Sequence, residues 1–367
     1  MKLVDSLQGR RVLVTGHTGF KGAWLCEWLL EMGAEVFGFA LEPAAGSLFD
    51  TLGLVSQVHH DVGDVRDLDS LSATLVRVRP DLVIHMAAQA LVRRAYAEPL
   101  ETLEVNVMGT LNLLEALRRY RRPCVVIIVT SDKCYALVEH SHSYTEDDRL
   151  GGNDPYSASK ACAEILTSAW RHSYFHPAQL RDHGVLLASA RAGNVLGGGD
   201  WAPDRIMPDI VRALTQRVPA LVRNPSAIRP WQYVLDALSG YLVLASHLLD
   251  TPNVSLATAW NFGPSDDRAF SVRDLVETVI DNWGEGSWND ASDPAQPVES
   301  SHLQLSVANA SNLLAWRPVY DLSETVAATV GWYQASAKGR DMLRYSRDEI
   351  ARYQQRAREM QLGWAMT

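Results

Sequence analysis

The sequence predicts a doubly wound α/β fold: a parallel sheet flanked by helices, with a smaller, loop-rich α/β lobe beside it. Two patterns predict it. Short β-rich runs alternate with helical segments through the first half of the chain, the order that builds a parallel sheet covered on both faces. Some of those runs, residues 124–130 above all, are nearly unbroken apolar and β-branched sequence, as strands buried on both faces require.

Taken in order, residues 11–15 form a short apolar strand that ends in a glycine turn, and from residue 20 to 32 apolar side chains recur at helical spacing. Residues 35–40 read as a second strand, 67–78 as a helix and 81–86 as another strand. Residues 99–119 read as one helix, followed by the strand at 124–130. After about residue 190 the texture changes. Residues 193–204 are rich in Gly, Asn and Asp, and Pro203, Pro208, Pro219, Pro225 and Pro230 punctuate the stretch up to residue 230. A helix over 233–249 returns to the first lobe. The Arg-rich tail beyond Lys338 is expected to be a solvated helix.

The composition is that of a globular protein, with 367 residues, 47% hydrophobic and 21% charged, so a sizeable core is available. A net charge of -9 argues against a nucleic-acid binder held by a basic surface, though not against a local basic pocket for phosphates. No apolar run approaches the roughly 20 residues of a membrane span, and the first residues lack the apolar stretch of a signal peptide. A soluble, cytoplasmic protein is therefore expected. Cys26, Cys124, Cys134 and Cys162 form no CxxC pair and are expected as reduced thiols. His59-His60 and the His140/His142 pair lack further ligands at metal-binding spacing, so no metal is expected.

Gly16-His17-Thr18-Gly19-Phe20-Lys21-Gly22 is a G-x-x-G-x-x-G turn between a strand and a helix. Glycines there permit a tight turn and close approach of a pyrophosphate to the helix N-terminus, where N–H donors and the positive dipole end converge. The placement points to a Rossmann-type dinucleotide site with Gly16, Thr18, Gly19, Phe20, Lys21 and Gly22 as contacts. The acid expected at the end of the second strand is missing: Ala40 holds the position and Glu42 lies two residues on. No Arg or Lys stands there for a 2′-phosphate, so NAD is favoured over NADP. Asp64, with Val65 beside it, is a candidate adenine-side contact; a turn or capping role is the alternative.

Tyr156-Ser157-Ala158-Ser159-Lys160 is a Y-x-x-x-K pattern whose i, i+4 spacing puts both side chains on one helix face. An ammonium and an oxidised nicotinamide nearby favour the phenolate of Tyr156, which can then take a proton from a hydroxyl as hydride leaves the same carbon. Alone, such a pattern usually marks a solvated helix face; the glycine loop upstream gives it a function.

These motifs, together with Ala87-Ala88-Gln89, Asn106 and Val129-Thr130-Ser131, resemble the extended short-chain dehydrogenase/reductase family. The resemblance runs from about residue 9 to 335. Ser131-Asp132-Lys133-Cys134-Tyr135, residues 151–157, 191–195, 197–201, 228–232 and 260–264 carry a closer similarity to its nucleotide-sugar dehydratases. The resemblance implies NAD as cofactor, with Val65, Ala87, Ala88, Gln89 and Asn106 among its contacts. It implies oxidation at sugar C4 with Tyr156 as base and Ser131 sharing the hydroxyl bond. Loss of water follows, with Asp132 as the acid at C6, and hydride then returns to C6. Lys133 stands where many relatives have Glu and is the candidate for removing the C5 proton; orienting the sugar or stabilising the enolate is the alternative.

On the substrate side, Arg229 matches the family's phosphate-binding arginine and Asn194 an amide contact near the same group; Arg205 could serve there or form a surface ion pair. Nothing in the residues themselves identifies the base or the hexose. Ala136-Leu137, Asn153 and Ser306-Val307 depart from the family's pattern. The implied division is 1–190 with about 231–262 as the NAD-binding domain, about 191–230 with 263–345 as the nucleotide-sugar lobe, and 346–367 as a C-terminal helix or tail. A homodimer through the helices at 99–119 and 154–174 is implied as common in the family. A 4-epimerase needs Tyr156 and Lys160 but no elimination acid. A non-catalytic dinucleotide sensor on the same fold would usually lack the tyrosine-lysine pair.

Overall fold

The computed structural model describes residues 2–138, 142–250, 253–264, 270–293 and 303–366; His140 lies outside them. Its centre is a seven-stranded sheet of β1 (Arg11–Thr15), β2 (Glu35–Ala40), β3 (His59–Val62), β4 (Leu82–His85), β5 (Cys124–Val129), β6 (Val185–Ala192) and β7 (Ala259–Phe262). The order is β7-β6-β5-β4-β1-β2-β3, and every pairing is parallel. The order reverses between β1 and β4, the crevice where doubly wound sheets bind ligands beyond their carboxyl ends.

Alternation along the strands assigns side chains to two cores. Leu13, Val83, Val126 and Ile128 face the layer of α2 (Leu68–Val78) and α3 (Gly109–Tyr120). Val12, Val14, Leu82, Ile84 and Ile127 face the other layer, α1 (Phe20–Glu31) and α6 (Val234–Asp250). The long helix α4 (Pro155–Ser173) starts where Asp154 caps it by accepting from Ser157 N at 2.9 Å and Pro155 sets its first turn.

Beyond β6 lie α5 (Ile206–Thr215), α7 (Val272–Trp283) and α8 (Leu322–Ala337). Three two-stranded pairings stitch the loops around them: Val195–Leu196 with Gln232–Tyr233, Ala220–Val222 with Trp288–Asp290, and Ser143–Tyr144 with Gln304–Leu305. Helices α7 and α8 both begin with reciprocal capping boxes, Ser271 with Asp274 and Asp321 with Glu324.

One expectation gains detail and another needs correction. Residues 99–119 are helical throughout, but the helix over Pro99–Leu103 passes through a π turn at Glu104–Met108 before α3 begins. The widened turn swings Asn106 into the interior, as such turns often do beside functional sites. The Arg-rich tail is not merely solvated. In α9 (Met342–Glu359), Ser346, Ile350, Tyr353 and Ala357 form a buried stripe, and Tyr353 packs edge-on to Trp28 of α1 at 5.7 Å. The arginines lie on the flanks of that stripe, Arg347 pairing with Glu27 at 2.6 Å, and their number hid its apolar periodicity.

Candidate active site

The glycine turn is shaped by contacts that exclude side chains. Gly16 has φ +73°, and a Cβ on it would lie 2.6 Å from Ala87 N at the end of β4. At Gly22 an added Cβ would strike Gly16 O and His17, so the third glycine lets α1 start hard against the turn. Gly19 is the residue before α1 and has no side chain, leaving the helix N–H groups open. Thr18 Oγ1 donates to Leu41 O at 3.1 Å and ties the turn to the end of β2, where Ala40 is buried and Glu42 exposed. This cradle fits a dinucleotide pyrophosphate, while the usual ribose carboxylate is absent.

His17 fills the space above Gly38, its Nε2 2.6 Å from Nδ1 of His60, and burial with the neighbouring His60 lowers its pKa to about 3. Among the described residues no three His, Cys, Asp or Glu side chains gather as a metal site.

Three of the expected cofactor contacts, Asp64, Val65 and Asn106, have partners within the chain. Asp64 accepts from Arg66 N at 2.9 Å and Nη2 at 2.6 Å, and those hydrogen bonds hold its carboxyl below the ordinary range. Val65 packs against Gly109. Asn106 accepts from Gln89 N at 2.8 Å, and its Nδ2 donates to Gln89 O and to Ser159 Oγ, both at 2.9 Å. It brackets the Ala87-Ala88-Gln89 loop to α4.

Tyr156 and Lys160 lie one turn apart on α4, both buried. The end of β5 delivers Ser131, Asp132 and Lys133 opposite them, with a single 3-10 turn over Asp132–Cys134. Ser131 stands beside Tyr156, its hydroxyl favouring the phenolate, and donates to Asp132 Oδ1 at 2.9 Å. Asp132 is 2% exposed, and its Oδ2 has no partner among the described residues. Burial raises its pKa, opposed by the charge of Lys133, the Ser131 hydroxyl and the charge of Arg229. Burial thus favours the protonated form of this carboxyl.

Burial pushes Tyr156 up to about 12, against the Ser131 hydrogen bond, and burial lowers Lys160 to about 8 against the charge of Glu164. Lys160 alone therefore does not favour the phenolate; burial outweighs it, and the positive charge of an oxidised nicotinamide is needed to bring the phenol down.

Lys21 converges on the same place. Its Nζ donates to Tyr241 OH at 3.0 Å, and burial, with Lys160 and Arg205 nearby, lowers it to about 7. Arg205 forms an ion pair with the buried Asp200 at 2.9 Å, yet its charge also reaches Lys21 and Tyr156, so it borders the cleft. Arg229 is buried and lines a cavity of about 270 Å³ together with Trp231, Phe270, Leu303 and Tyr320. Asn194 accepts from Gln232 N at 2.9 Å through its backbone carbonyl, which leaves its side-chain amide outside that bond.

Sequence reasoning missed Tyr241 and Glu164. Tyr241 sits in a long apolar helix and carries no local signal. Glu164 could have been found: it continues the i, i+4 series of Tyr156 and Lys160 on a face that is otherwise apolar or small.

A family model described as GDP-mannose 4,6 dehydratase matches residues 13–329. A CDP-glucose 4,6-dehydratase of Salmonella typhimurium is 46% identical over 348 residues, 94% of this chain and 96% of the relative. A dTDP-glucose 4,6-dehydratase of Streptomyces antibioticus is 30% identical, covering 88% of this chain and 92% of its own length. The crystal structure of a dTDP-glucose 4,6-dehydratase from Streptomyces venezuelae with NAD bound superposes with a TM-score of 0.76 at 24% identity, covering 91% of this chain and 99% of that one. A UDP-glucose 4-epimerase from Thermus thermophilus in complex with NAD superposes with a TM-score of 0.74 at 25% identity over 89% of this chain and 99% of that one.

Proposed function

The chain belongs to the GDP-mannose 4,6-dehydratase family, within the extended short-chain dehydrogenase/reductases, and from that premise we propose that it dehydrates CDP-D-glucose to CDP-4-keto-6-deoxy-D-glucose. It is an NAD-dependent hydro-lyase of nucleotide-sugar metabolism. The 46% identical relative supports the substrate. The observation that carries the chemistry is Asp132: a buried carboxyl with a free oxygen beside the Ser131–Tyr156 hydroxyl pair. An epimerase has no use for such an acid.

Residues 16–22 and the loop at 87–89 would hold NAD, which when bound would supply the hydride acceptor and donor. The chain's own residues supply the proton transfers. Ser131 and Tyr156 hold the C4 hydroxyl, and Tyr156 takes its proton; Lys160 orients the group and contributes positive charge. The 4-ketone acidifies C5–H. Lys133 removes that proton as Asp132 gives its own to the departing C6 hydroxyl. Water leaves, and a proton returns to C5. Arg229 and Asn194 bind the pyrophosphate, with Arg205 at the cleft edge, since a planar guanidinium matches phosphate oxygens.

Among the described residues no helix is long and apolar enough to cross a membrane, which accords with a cytoplasmic enzyme. Leu100, Met108 and Ile165 are exposed on the helices near 99–120 and on α4, and they suit a homodimer face. The product would supply deoxysugars to lipopolysaccharide or another glycan.

Incubation with a panel of nucleotide-hexoses tests the function. CDP-glucose should give the strong-base absorbance of a 4-keto-6-deoxy product; product from a different nucleotide alone would replace the substrate.

A further inference from the structure

Beneath the catalytic loop runs a buried polar chain that none of these steps uses. Glu164, one turn beyond Lys160, accepts from Thr130 Oγ1 at 2.5 Å, from Ser189 Oγ at 2.8 Å and from Arg191 Nη2 at 2.8 Å. Its side chain and that of Arg191 are 3% and 4% exposed. Arg191 passes the chain on: Nη1 donates to Tyr135 OH at 2.7 Å and to Glu146 O at 3.1 Å. Tyr135 OH donates in turn to Asn261 Oδ1 at 2.7 Å, and Asn261 Nδ2 donates to Tyr144 O at 2.9 Å.

The placement of the ends matters. Thr130 immediately precedes Ser131, and Tyr135 immediately follows Cys134. The turn bearing Asp132 and Lys133 is thus pinned at both flanks, to α4 upstream and to the ends of β6 and β7 downstream. By contrast, α4, which carries Tyr156 and Lys160, has its own anchors in the Asp154 cap and the Ser159–Asn106 bond.

We propose that the Glu164–Arg191–Tyr135–Asn261 chain is a positioning device for the dehydration half of the reaction. Its downstream members fix the height of Asp132 and Lys133 over sugar C6 and C5, while Tyr156 and Lys160, which serve hydride transfer at C4, keep their own anchors on α4. This role rests on the dehydratase function proposed for the site. A group misplaced by about 1 Å loses on the order of a hundredfold in rate, so the downstream pin is a sensitive point. Tyr135 is the member to remove, because Phe keeps the ring stacked on Tyr144 at 4.9 Å and leaves the Glu164–Arg191 pair intact.

Single-turnover experiments with CDP-glucose in deuterated water separate the two halves. In Tyr135→Phe, formation of enzyme-bound reduced nicotinamide should stay within about twofold of the unaltered enzyme. Deuterium entry at C5 and loss of water should fall by about tenfold to a hundredfold. Reduced cofactor and the 4-keto-hexose then accumulate. Asn261→Ser, which shortens the acceptor of Tyr135, should show the same pattern at a thermal midpoint near that of the unaltered chain. Equal losses in both halves, or no loss in either variant, would overturn the positioning role even though the unaltered enzyme makes product. If the unaltered enzyme forms no ketone from CDP-glucose, the functional reading fails first and takes this one with it.

Discussion

Gly193 makes room for Asp132: a Cβ on Gly193 would stand 2.9 Å from Asp132 Oδ2 and 2.8 Å from Pro230. The unpartnered oxygen of the acid therefore rests against the segment that also carries Asn194. Gly193→Ala should push the carboxyl out of line and lower kcat for dehydration by about tenfold to a hundredfold, with little change in the rate of C4 oxidation. Steady-state and single-turnover rates on the purified variant check this, and equal falls in both rates would contradict it.

Asp132→Asn keeps the shape and removes the proton. Ketone formation should persist while water loss falls by about 10² to 10⁴, the usual worth of a positioned general acid. The pH dependence has a definite sign. Burial raises the Asp132 pKa, so the acid form survives to higher pH than an ordinary carboxyl, and the dehydration rate falls as pH rises through that raised value. The Asn variant should lack this falling limb in a kcat profile.

Lys133→Met should still oxidise C4 but fail to exchange the C5 proton with solvent. Deuterium at C5 of the recovered sugar is the measurement. Exchange at the unaltered rate in a variant that still reduces the cofactor would sink the assignment of Lys133 as base.

Burial lowers the pKa of Lys160 to about 8 and pushes that of Tyr156 up to about 12. The ammonium is therefore lost on the alkaline side of neutrality, well before the phenol ionises. Cofactor reduction by substrate should decline above about pH 8 as Lys160 loses its charge. Lys160→Met should show a lower rate without that limb, and Tyr156→Phe should show almost none. Stopped-flow absorbance of the reduced nicotinamide across pH resolves the three.

The parts of this molecule written in local pattern were legible in the sequence. The apolar strand at 124–129 and the glycine turn at 16–22 announce a parallel sheet and a phosphate cradle, because burial on both faces and a turn with φ above zero each restrict composition directly. Tyr156 and Lys160 were legible through helical spacing. What was not legible depends on tertiary burial. The raised phenol of Tyr156 follows from a dehydrated cleft, which no spacing reports. Nothing local tells that a π turn aims Asn106 at Gln89 and Ser159. The tail at 342–359 read as solvated because its buried stripe of Ser346, Ile350, Tyr353 and Ala357 is sparse among arginines.

That tail sets up a stability test. Asp236 on α6 accepts from Val319 N at 2.6 Å and from Tyr353 OH of α9 at 2.7 Å, both through Oδ1, while Oδ2 has no partner among the described residues. Burial pushes its pKa from 3.8 up to about 7. The folded chain thus keeps a proton that the unfolded chain releases. Its stability is greatest below the unfolded value, declines as pH rises from about 4 to about 7, and stays low above that. The whole effect is at most on the order of 4 kcal/mol. Asp236→Asn can keep both accepted bonds and has no proton to lose, so its thermal midpoint should flatten across that window and equal or exceed that of the unaltered chain above pH 7. Midpoints from calorimetry at a series of pH values check it; parallel curves for the two proteins would mean that Asp236 is ionised throughout and that its unpartnered oxygen is solvated after all.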